Sequence, residues 1–209
     1  MSAKALFHRY FDECPLIAII RGVTPDDAEA IGDALYEGGI RIIEVPLNSP
    51  DPLVSIERLA AKFGDRALVG AGTVVDPKQV DAVRLVGGRL IVAPNTNAEV
   101  IRNTASAEMV SCPGYFTPSE AFAACHAGAT ALKLFPAEAA APAVLKAMLA
   151  VLPRDVPQII VGGIKPDNMR PWLDAGATGF GLGSGLYKPG QAVADTFDKA
   201  RAYVAGLGA

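Results

Sequence analysis

Residues 109–135, MVSCPGYFTPSEAFAACHAGATALKLF, contain one complete strand, helix and strand unit. Two short apolar runs, MVSCP and ALKLF, stand at its ends, and each is too short for a typical helix. Between them Thr117 precedes Pro118, and Glu120 stands at the third helical position, an order typical of a helix start. Gly128 marks the helix end, because glycine adopts a left-handed backbone at low cost. The stretch therefore predicts a parallel β-α-β unit.

The same pattern recurs along the whole chain. Helix-start signals such as Thr24-Pro25 and Asp76-Pro77 follow most of the apolar runs, and a glycine precedes most of the next ones. The tetrapeptide Ala-Gly-Ala-Thr occurs twice, at 127–130 and at 175–178. The eight runs are LIAII (16–20), IRIIEV (40–45), ALVGAG (67–72), LIVAP (90–94), MVSCP (109–113), ALKLF (131–135), QIIVGG (158–163) and GFGLG (179–183).

Eight such units in 209 residues predict an α/β fold, a (β/α)₈ TIM barrel that forms a single domain over 1–209. The spacing of apolar residues near the N-terminus predicts an extra helix from about Ser2 to Phe11, which would close the bottom of the barrel. An open doubly wound sheet is the alternative. The first strand is followed by IIRGVTP instead of a GxGxxG motif, which favours the barrel.

The composition excludes several classes of protein. The chain has 19 Lys and Arg against 22 Asp and Glu, so it offers no broad basic surface for nucleic acid. The most apolar stretch, 137–152, is interrupted by charges and proline, and we interpret it as a buried helix instead of a membrane span. The N-terminal residues lack the apolar core of a secretory signal. We therefore expect a cytoplasmic protein that binds neither nucleic acid nor membranes.

The cysteines and histidines indicate neither a metal site nor a disulfide framework. Cys14, Cys112 and Cys125 form no CxxC pair, and we interpret them as packing thiols. His8 and His126 show no HxH or HExxH spacing. We expect no metal and no cofactor.

Lys133 breaks the apolar pattern of the sixth run. Every other lysine, including Lys165 and Lys188, stands in a helix-like or loop context that is typical of a solvated ammonium. Burial between Leu132 and Leu134 lowers the pKa of an amine and supplies the neutral form that attacks a carbonyl. The alternative is a lysine whose stem packs while its ammonium reaches solvent.

Glu44 is the second charge inside a strand-like run. A buried carboxylate is costly unless paired, so one interpretation is a salt bridge to Arg21 or Lys133. The other is a general base whose pKa is raised by burial. Without a metal to stabilise an enolate, a lysine Schiff base is the remaining electron sink for a carbonyl substrate.

Further polar and glycine residues stand where strands end, which is where barrels hold their active sites. Arg21 suits a substrate carboxylate. Thr73 offers a hydroxyl group, with a turn or cap role as the alternative. Gly162-Gly163 and Gly183-Ser184 follow the last two strands, and glycines there let backbone N–H groups approach a phosphate.

Taken in order, eight segments resemble the 2-keto-3-deoxy-6-phosphosugar aldolases and, within them, the galactonate branch. The resemblance runs from about Pro15 to Lys188. It implies a class I aldolase, an aldehyde-lyase without metal that is usually a homotrimer. Its substrate would be 2-dehydro-3-deoxy-6-phospho-D-galactonate, cleaved to pyruvate and D-glyceraldehyde 3-phosphate. The segments are AIIRGVTPDDA, IEVPLNSP, GAGTV, VAPNTN, CPGYFTPSEA, ALKLFPAE, VGGIKPDN and GLGSGLY.

The resemblance also implies roles for single residues. Lys133 would form the Schiff base, and Glu44 would transfer protons. The remaining positions would bind substrate: Arg21 and Thr73 at the pyruvyl end, Pro94 and Phe135 in the pocket, and Gly162, Gly163, Gly183 and Ser184 at the phosphate.

Two departures separate this chain from the gluconate-specific enzymes of the family. The second strand ends in PLNS (46–49) where those enzymes usually have Leu-Arg-Thr, so Arg21 must carry more of the anion binding. Val161 replaces their threonine before the glycine pair. We expect a preference for the galactonate epimer, with a gluconate-specific or dual-specificity enzyme as the alternative.

Three other classes of function remain open at this point. A phosphosugar isomerase or epimerase could use Glu44 as its base, with Lys133 acting only through its charge. A non-catalytic module could bind a phosphosugar without releasing pyruvate. If the protein had only a structural or interaction role, Lys133 and Glu44 could be replaced as a pair by apolar residues.

Overall fold

Within residues 1–208, which the computed structural model describes, nine parallel strands form the centre of the molecule. Each of the eight apolar runs overlaps one of them, with β2 extending one residue past its run to Pro46, and the ninth is a two-residue strand that the sequence does not predict. The strands are β1 (Leu16–Ile19), β2 (Ile42–Pro46), β3 (Leu68–Gly72), β4 (Leu90–Val92), β5 (Val110–Cys112), β6 (Gly114–Tyr115), β7 (Leu132–Leu134), β8 (Gln158–Val161) and β9 (Gly179–Leu182).

The strands close into a ring in the order β5-β4-β3-β2-β1-β9-β8-β7-β6. The predicted fifth run, 109–113, contains β5, and β6 follows it beyond Pro113, which separates the two strands because proline has no N–H for the ladder. The Ser111 carbonyl of β5 accepts from the N–H groups of Thr130 and Ala131 at 2.8 and 3.1 Å, which links β5 to the segment that leads into β7 and closes the ring. The predicted (β/α)₈ barrel is confirmed, and the doubly wound alternative is wrong.

Helices alternate with the strands and cover the outside of the ring. Thr117 and Glu120 form the predicted capping box at the start of α6. α4 begins at Lys78, one residue after the predicted start at Pro77, because the Asp76 carboxylate accepts from the Lys78 N–H at 2.9 Å. The helices are α1 (Ala3–Glu13), α2 (Pro25–Glu37), α3 (Pro52–Phe63), α4 (Lys78–Leu85), α5 (Ala98–Ser106), α6 (Pro118–Ala127), α7 (Pro142–Leu149), α8 (Arg170–Asp174) and α9 (Val193–Gly206).

The N-terminal helix α1 closes the bottom of the barrel, as predicted. Ser2 caps it, and its apolar residues, including Phe7 and Phe11, share one buried cluster with the side chains inside the ring. Phe11 lies against Gly179, the first residue of β9, where an added Cβ would be 2.5 Å from the ring. The alternate residues of the strands, such as Leu132 and Leu134, pack outward under the helices.

The stretch 137–152 is not the buried helix that its composition predicts. A 3₁₀ turn, Ala137–Ala139, precedes α7, and α7 buries only Leu145 and Met148. Val144 and Val151 are exposed. The helix packs by a narrow stripe, which composition alone does not reveal. Over residues 1–208, none of the helices has the length and apolar character needed to span a membrane.

Candidate active site

A cavity of about 530 Å³ opens at the carboxyl ends of the strands. The loops that follow β1, β3, β4, β7, β8 and β9 line it, which is the end of a barrel where active sites form. Ten of the eleven predicted site residues lie on its wall, and Glu44 lies beneath it. The ten are Arg21, Thr73, Pro94, Lys133, Phe135, Val161, Gly162, Gly163, Gly183 and Ser184.

Lys133 is the one lysine of residues 1–208 that is buried, with 7% of its surface exposed. Its position on β7 directs it into the ring, together with Phe135, whose ring centroid lies 4.7 Å from the Lys133 Nζ. Burial lowers the pKa of the amine, and the nearby Glu44 carboxylate partly opposes that effect. The alternative of an ammonium that reaches solvent is therefore wrong, and the side chain is suited to nucleophilic attack.

Glu44 lies on β2 with 2% of its surface exposed. Burial raises the pKa of this carboxyl group to about 7, although the charges of Lys133 and Arg21 pull it down. Across the described part of the chain, Oε2 has no hydrogen-bond partner, and no ion pair within 4.0 Å reaches this carboxylate. The predicted direct salt bridge is therefore wrong. Oε2 is left without a donor that would satisfy it.

Gly72 makes the room that the Glu44 carboxylate occupies. The two residues face each other diagonally across the β2 and β3 pairing, in which Glu44 lies opposite Gly70. A Cβ atom at Gly72 would lie 2.0 Å from Glu44 Oε2. In the sequence this glycine stands out only as part of the GAGTV run. Its place inside a strand was nevertheless a signal, because glycine is uncommon in strand interiors unless another group approaches the backbone closely.

Arg21 and Thr73 meet on one wall of the cavity. Arg21 Nη2 donates to Thr73 Oγ1 at 3.3 Å, and Nη1 donates to Asn48 Oδ1. Thr73 has a φ of +57°, a region that a β-branched residue rarely adopts and that is common at functional sites. The PLNS segment thus supplies Asn48 to orient Arg21, a role that the sequence did not reveal.

The loops after β8 and β9 form the opposite wall. Gly162 and Gly163 both have positive φ values, of +115° and +65°, which favour glycine. Lys165 and Lys188 are exposed, as the sequence predicts for solvated lysines, and they also line the cavity. Two ammonium groups beside glycine-rich backbone make this wall suitable for an anion.

Glu138 is a further cavity residue that the sequence analysis missed. It stands in the 3₁₀ turn after β7, and its carboxylate packs against the glycine pair. An added Cβ at Gly162 would lie 2.0 Å from its Oε2. Any larger residue at 162 would therefore displace this side chain. Over residues 1–208, no cluster of three or more His, Cys, Asp or Glu side chains is arranged to hold a metal ion.

The KDPG and KHG aldolase family matches residues 8–202, which is nearly the whole barrel. The chain belongs to this aldolase family. A 2-dehydro-3-deoxy-6-phosphogalactonate aldolase of Escherichia coli K12 is 50% identical over 190 residues, covering 91% of this chain and 93% of that protein. The chain is accordingly an aldehyde-lyase.

Solved structures agree with the family assignment. A structure described as native KDPGal superposes with a TM-score of 0.92 at 49% identity, covering 93% of this chain and 95% of the other. The KDPG aldolase of Legionella pneumophila superposes with a TM-score of 0.82 at 28% identity, covering 98% of each chain. That aldolase holds pyruvate as a covalent carbinolamine. The shared fold therefore places aldolase chemistry in a barrel of this shape.

Proposed function

We propose that this single-domain aldolase cleaves 2-dehydro-3-deoxy-6-phospho-D-galactonate to pyruvate and D-glyceraldehyde 3-phosphate through a Schiff base on Lys133. One observation carries the proposal. A buried amine and a buried, partner-free carboxylate lie together under a cavity whose outer wall is built for an anion. The similarity to the E. coli enzyme supports the galactonate epimer as the substrate.

Carbon–carbon cleavage begins at Lys133. The neutral amine attacks the C2 ketone, and the carbinolamine loses water to give an iminium ion. Glu44 then takes the proton of the C4 hydroxyl, directly or through water. The electron pair of the C3–C4 bond moves into the iminium and forms an enamine, and glyceraldehyde 3-phosphate leaves.

Glu44 next acts as an acid. Its proton returns to the enamine carbon C3, and the resulting iminium is hydrolysed to pyruvate and the free amine. One carboxyl group thus removes and returns a proton in each cycle. A pKa near 7 suits this alternation, because both protonation states are populated at neutral pH.

The two ends of the substrate bind to opposite walls. Arg21, oriented by Asn48 and Thr73, faces the pyruvyl carboxylate. Gly162, Gly163, Gly183 and Ser184 face the phosphate, with Lys165 and Lys188 beside them. Phosphate binding far from the reacting bond supplies orientation that lowers the barrier at C3–C4.

Val161 lines the cavity directly before the glycine pair and offers no hydrogen bond to a substrate hydroxyl. We expect wild-type enzyme to release pyruvate faster from the 6-phosphogalactonate keto-deoxy acid than from its gluconate epimer. Val161→Thr should move the ratio of the two kcat/KM values toward gluconate by about fivefold, the worth of one hydrogen bond. Coupled pyruvate assays with both substrates measure the ratio.

Val161→Ala is the matched control for that substitution, because it changes size without adding a hydroxyl group. An equal shift in the alanine variant would assign the effect to volume. No pyruvate from either epimer would overturn the aldolase proposal. Substrate conversion without a borohydride-trapped pyruvate adduct would instead favour the isomerase.

We also propose that the chain forms a homotrimer, as the family resemblance implies. A single copy of the chain exposes the apolar side chains of Val54, Val75 and Leu85. Association between copies would remove apolar surface of this kind from water. Sedimentation equilibrium should give three times the mass of the chain, and a monomer would contradict the proposal. The cytoplasmic location remains a prediction, which cell fractionation tests.

A further inference from the structure

The loop after β8 is held from its outer side by two side chains. The Gly163 carbonyl accepts from Asn168 Nδ2 at 2.9 Å, and the Lys165 N–H donates to Asn168 Oδ1 at 2.9 Å. Between them, the Ile164 carbonyl accepts from the Tyr203 hydroxyl of α9 at 2.8 Å. Three successive residues of the loop are therefore fixed through their backbone groups.

These contacts set the direction of the peptide unit between Gly163 and Ile164. Gly163 and Ile164 line the cavity, whereas Asn168 and Tyr203 do not. In a planar trans peptide the C=O and N–H groups point in opposite directions. Because Asn168 draws the Gly163 oxygen outward, the Ile164 N–H is directed toward the cavity. In the described chain that N–H has no backbone acceptor.

A glycine pair would not keep this orientation unaided. Gly162 and Gly163 both adopt positive φ, and glycine moves between backbone regions at little cost. If the peptide unit turned over, a carbonyl oxygen would face the anion in place of an N–H donor. The Asn168 side chain prevents this by binding the loop on both sides of Ile164.

We propose that Asn168 is a positioning residue that holds the Ile164 N–H toward the substrate phosphate. The proposal rests on the proposed function, since it assigns the phosphate to this wall of the cavity. It adds a residue outside the cavity that determines how strongly the enzyme distinguishes phosphorylated from unphosphorylated aldehydes.

The test compares two aldehydes in the reverse reaction. Pyruvate is added either to D-glyceraldehyde 3-phosphate or to D-glyceraldehyde by wild-type enzyme and by Asn168→Ala. We expect the variant to lose about tenfold in kcat/KM for the phosphorylated aldehyde, mainly through KM, and to change less than twofold for the other. Borohydride trapping of pyruvate should stay unchanged.

Asn97→Ala is the matched control. Asn97 also binds backbone, accepting from the N–H groups of Glu99 and Val100 at 3.0 and 3.4 Å, but it lies in the loop after β4. It should leave the ratio of the two aldehydes unchanged. An equal loss on both aldehydes in Asn168→Ala, or no loss on either, would show that Asn168 has only a general structural role.

A second variant and a binding measurement keep the test decisive. Asn168→Asp retains an acceptor for Lys165 and removes the donor to Gly163, so it should also lose phosphate discrimination. That loss should persist at high salt, where the added charge is screened; recovery at high salt would overturn the proposal. Calorimetric titration with inorganic phosphate should show weaker binding to Asn168→Ala. That titration needs no turnover, so it separates failure of this proposal from failure of the aldolase assignment.

Discussion

Lys133→Ala should lower pyruvate release by at least about 10⁴-fold and abolish the pyruvate adduct trapped by borohydride. The effect is large because Lys133 is the one buried lysine of the described chain, whereas Lys165 and Lys188 on the same cavity are exposed. Labelled pyruvate with borohydride, followed by mass spectrometry of peptides, locates the adduct. It should be found on the peptide that contains Lys133.

Two further variants complete that experiment. Lys146→Ala, on the exposed side of α7, should keep both the activity and the adduct. Lys133→Met keeps the apolar stem and tests whether the loss follows from the amine alone. Full activity of Lys133→Ala, or a wild-type adduct on another lysine, would disprove the Schiff-base assignment.

Glu44→Gln should slow cleavage by about 10²- to 10⁴-fold while the pyruvate imine still forms. Glutamine has nearly the same shape but cannot take the C4 hydroxyl proton. Its neutral amide also no longer raises the pKa of Lys133, which leaves more of the amine unprotonated. Single-turnover cleavage and borohydride trapping measure the two steps separately. Loss of trapping together with cleavage would contradict the acid/base role.

The same substitution should change stability with pH in a defined direction. Burial raises the pKa of Glu44 from 4.5 to about 7, so the folded state is penalised wherever the unfolded chain ionises this group. The penalty is absent below about pH 4.5, grows through pH 7, and reaches on the order of 3 kcal/mol above it. Glu44→Gln should therefore be more stable than wild type at pH 8 and similar at pH 4.5, measured by urea unfolding.

Glu57→Gln provides the control, because this glutamate is exposed on α3. It should not reproduce the gain in stability that Glu44→Gln shows at pH 8. A Glu44→Gln variant that is less stable than wild type at pH 8 would show that the carboxylate is satisfied in the folded enzyme.

Much of the fold could be predicted because its signals are local in sequence. A cap such as Thr117 or a glycine such as Gly128 acts on backbone within a few residues, so the helix end can be predicted from the neighbouring sequence. The strand β6 was missed because its two residues are too few to show a period. The exposure of α7 was missed because it depends on the curvature of the surface that the helix covers.

The site residues also fall into those with a local signal in the sequence and those without one. Lys133 and Glu44 stand out because a charge inside an apolar run is unusual wherever it occurs. Gly72, Asn48 and Asn168 act on residues that are close in space or bind backbone, and no sequence spacing reports such a contact. Lys165 is an exposed loop residue, as predicted, but the sequence does not show that it lies on the cavity wall, because the ring closure sets that position.

The helix that closes the bottom of the barrel also affects the order in which the two products leave. With α1 sealing one end, the described barrel has its substrate entrance at the opposite end. Under the proposed function pyruvate forms at the buried Lys133, whereas the phosphate binds beside exposed residues such as Gly163 and Ser184. The three-carbon aldehyde therefore blocks the exit until it has departed. Under this proposal glyceraldehyde 3-phosphate leaves first and pyruvate second. Both the shape of the cavity and the covalent bond between pyruvate and Lys133 impose that order.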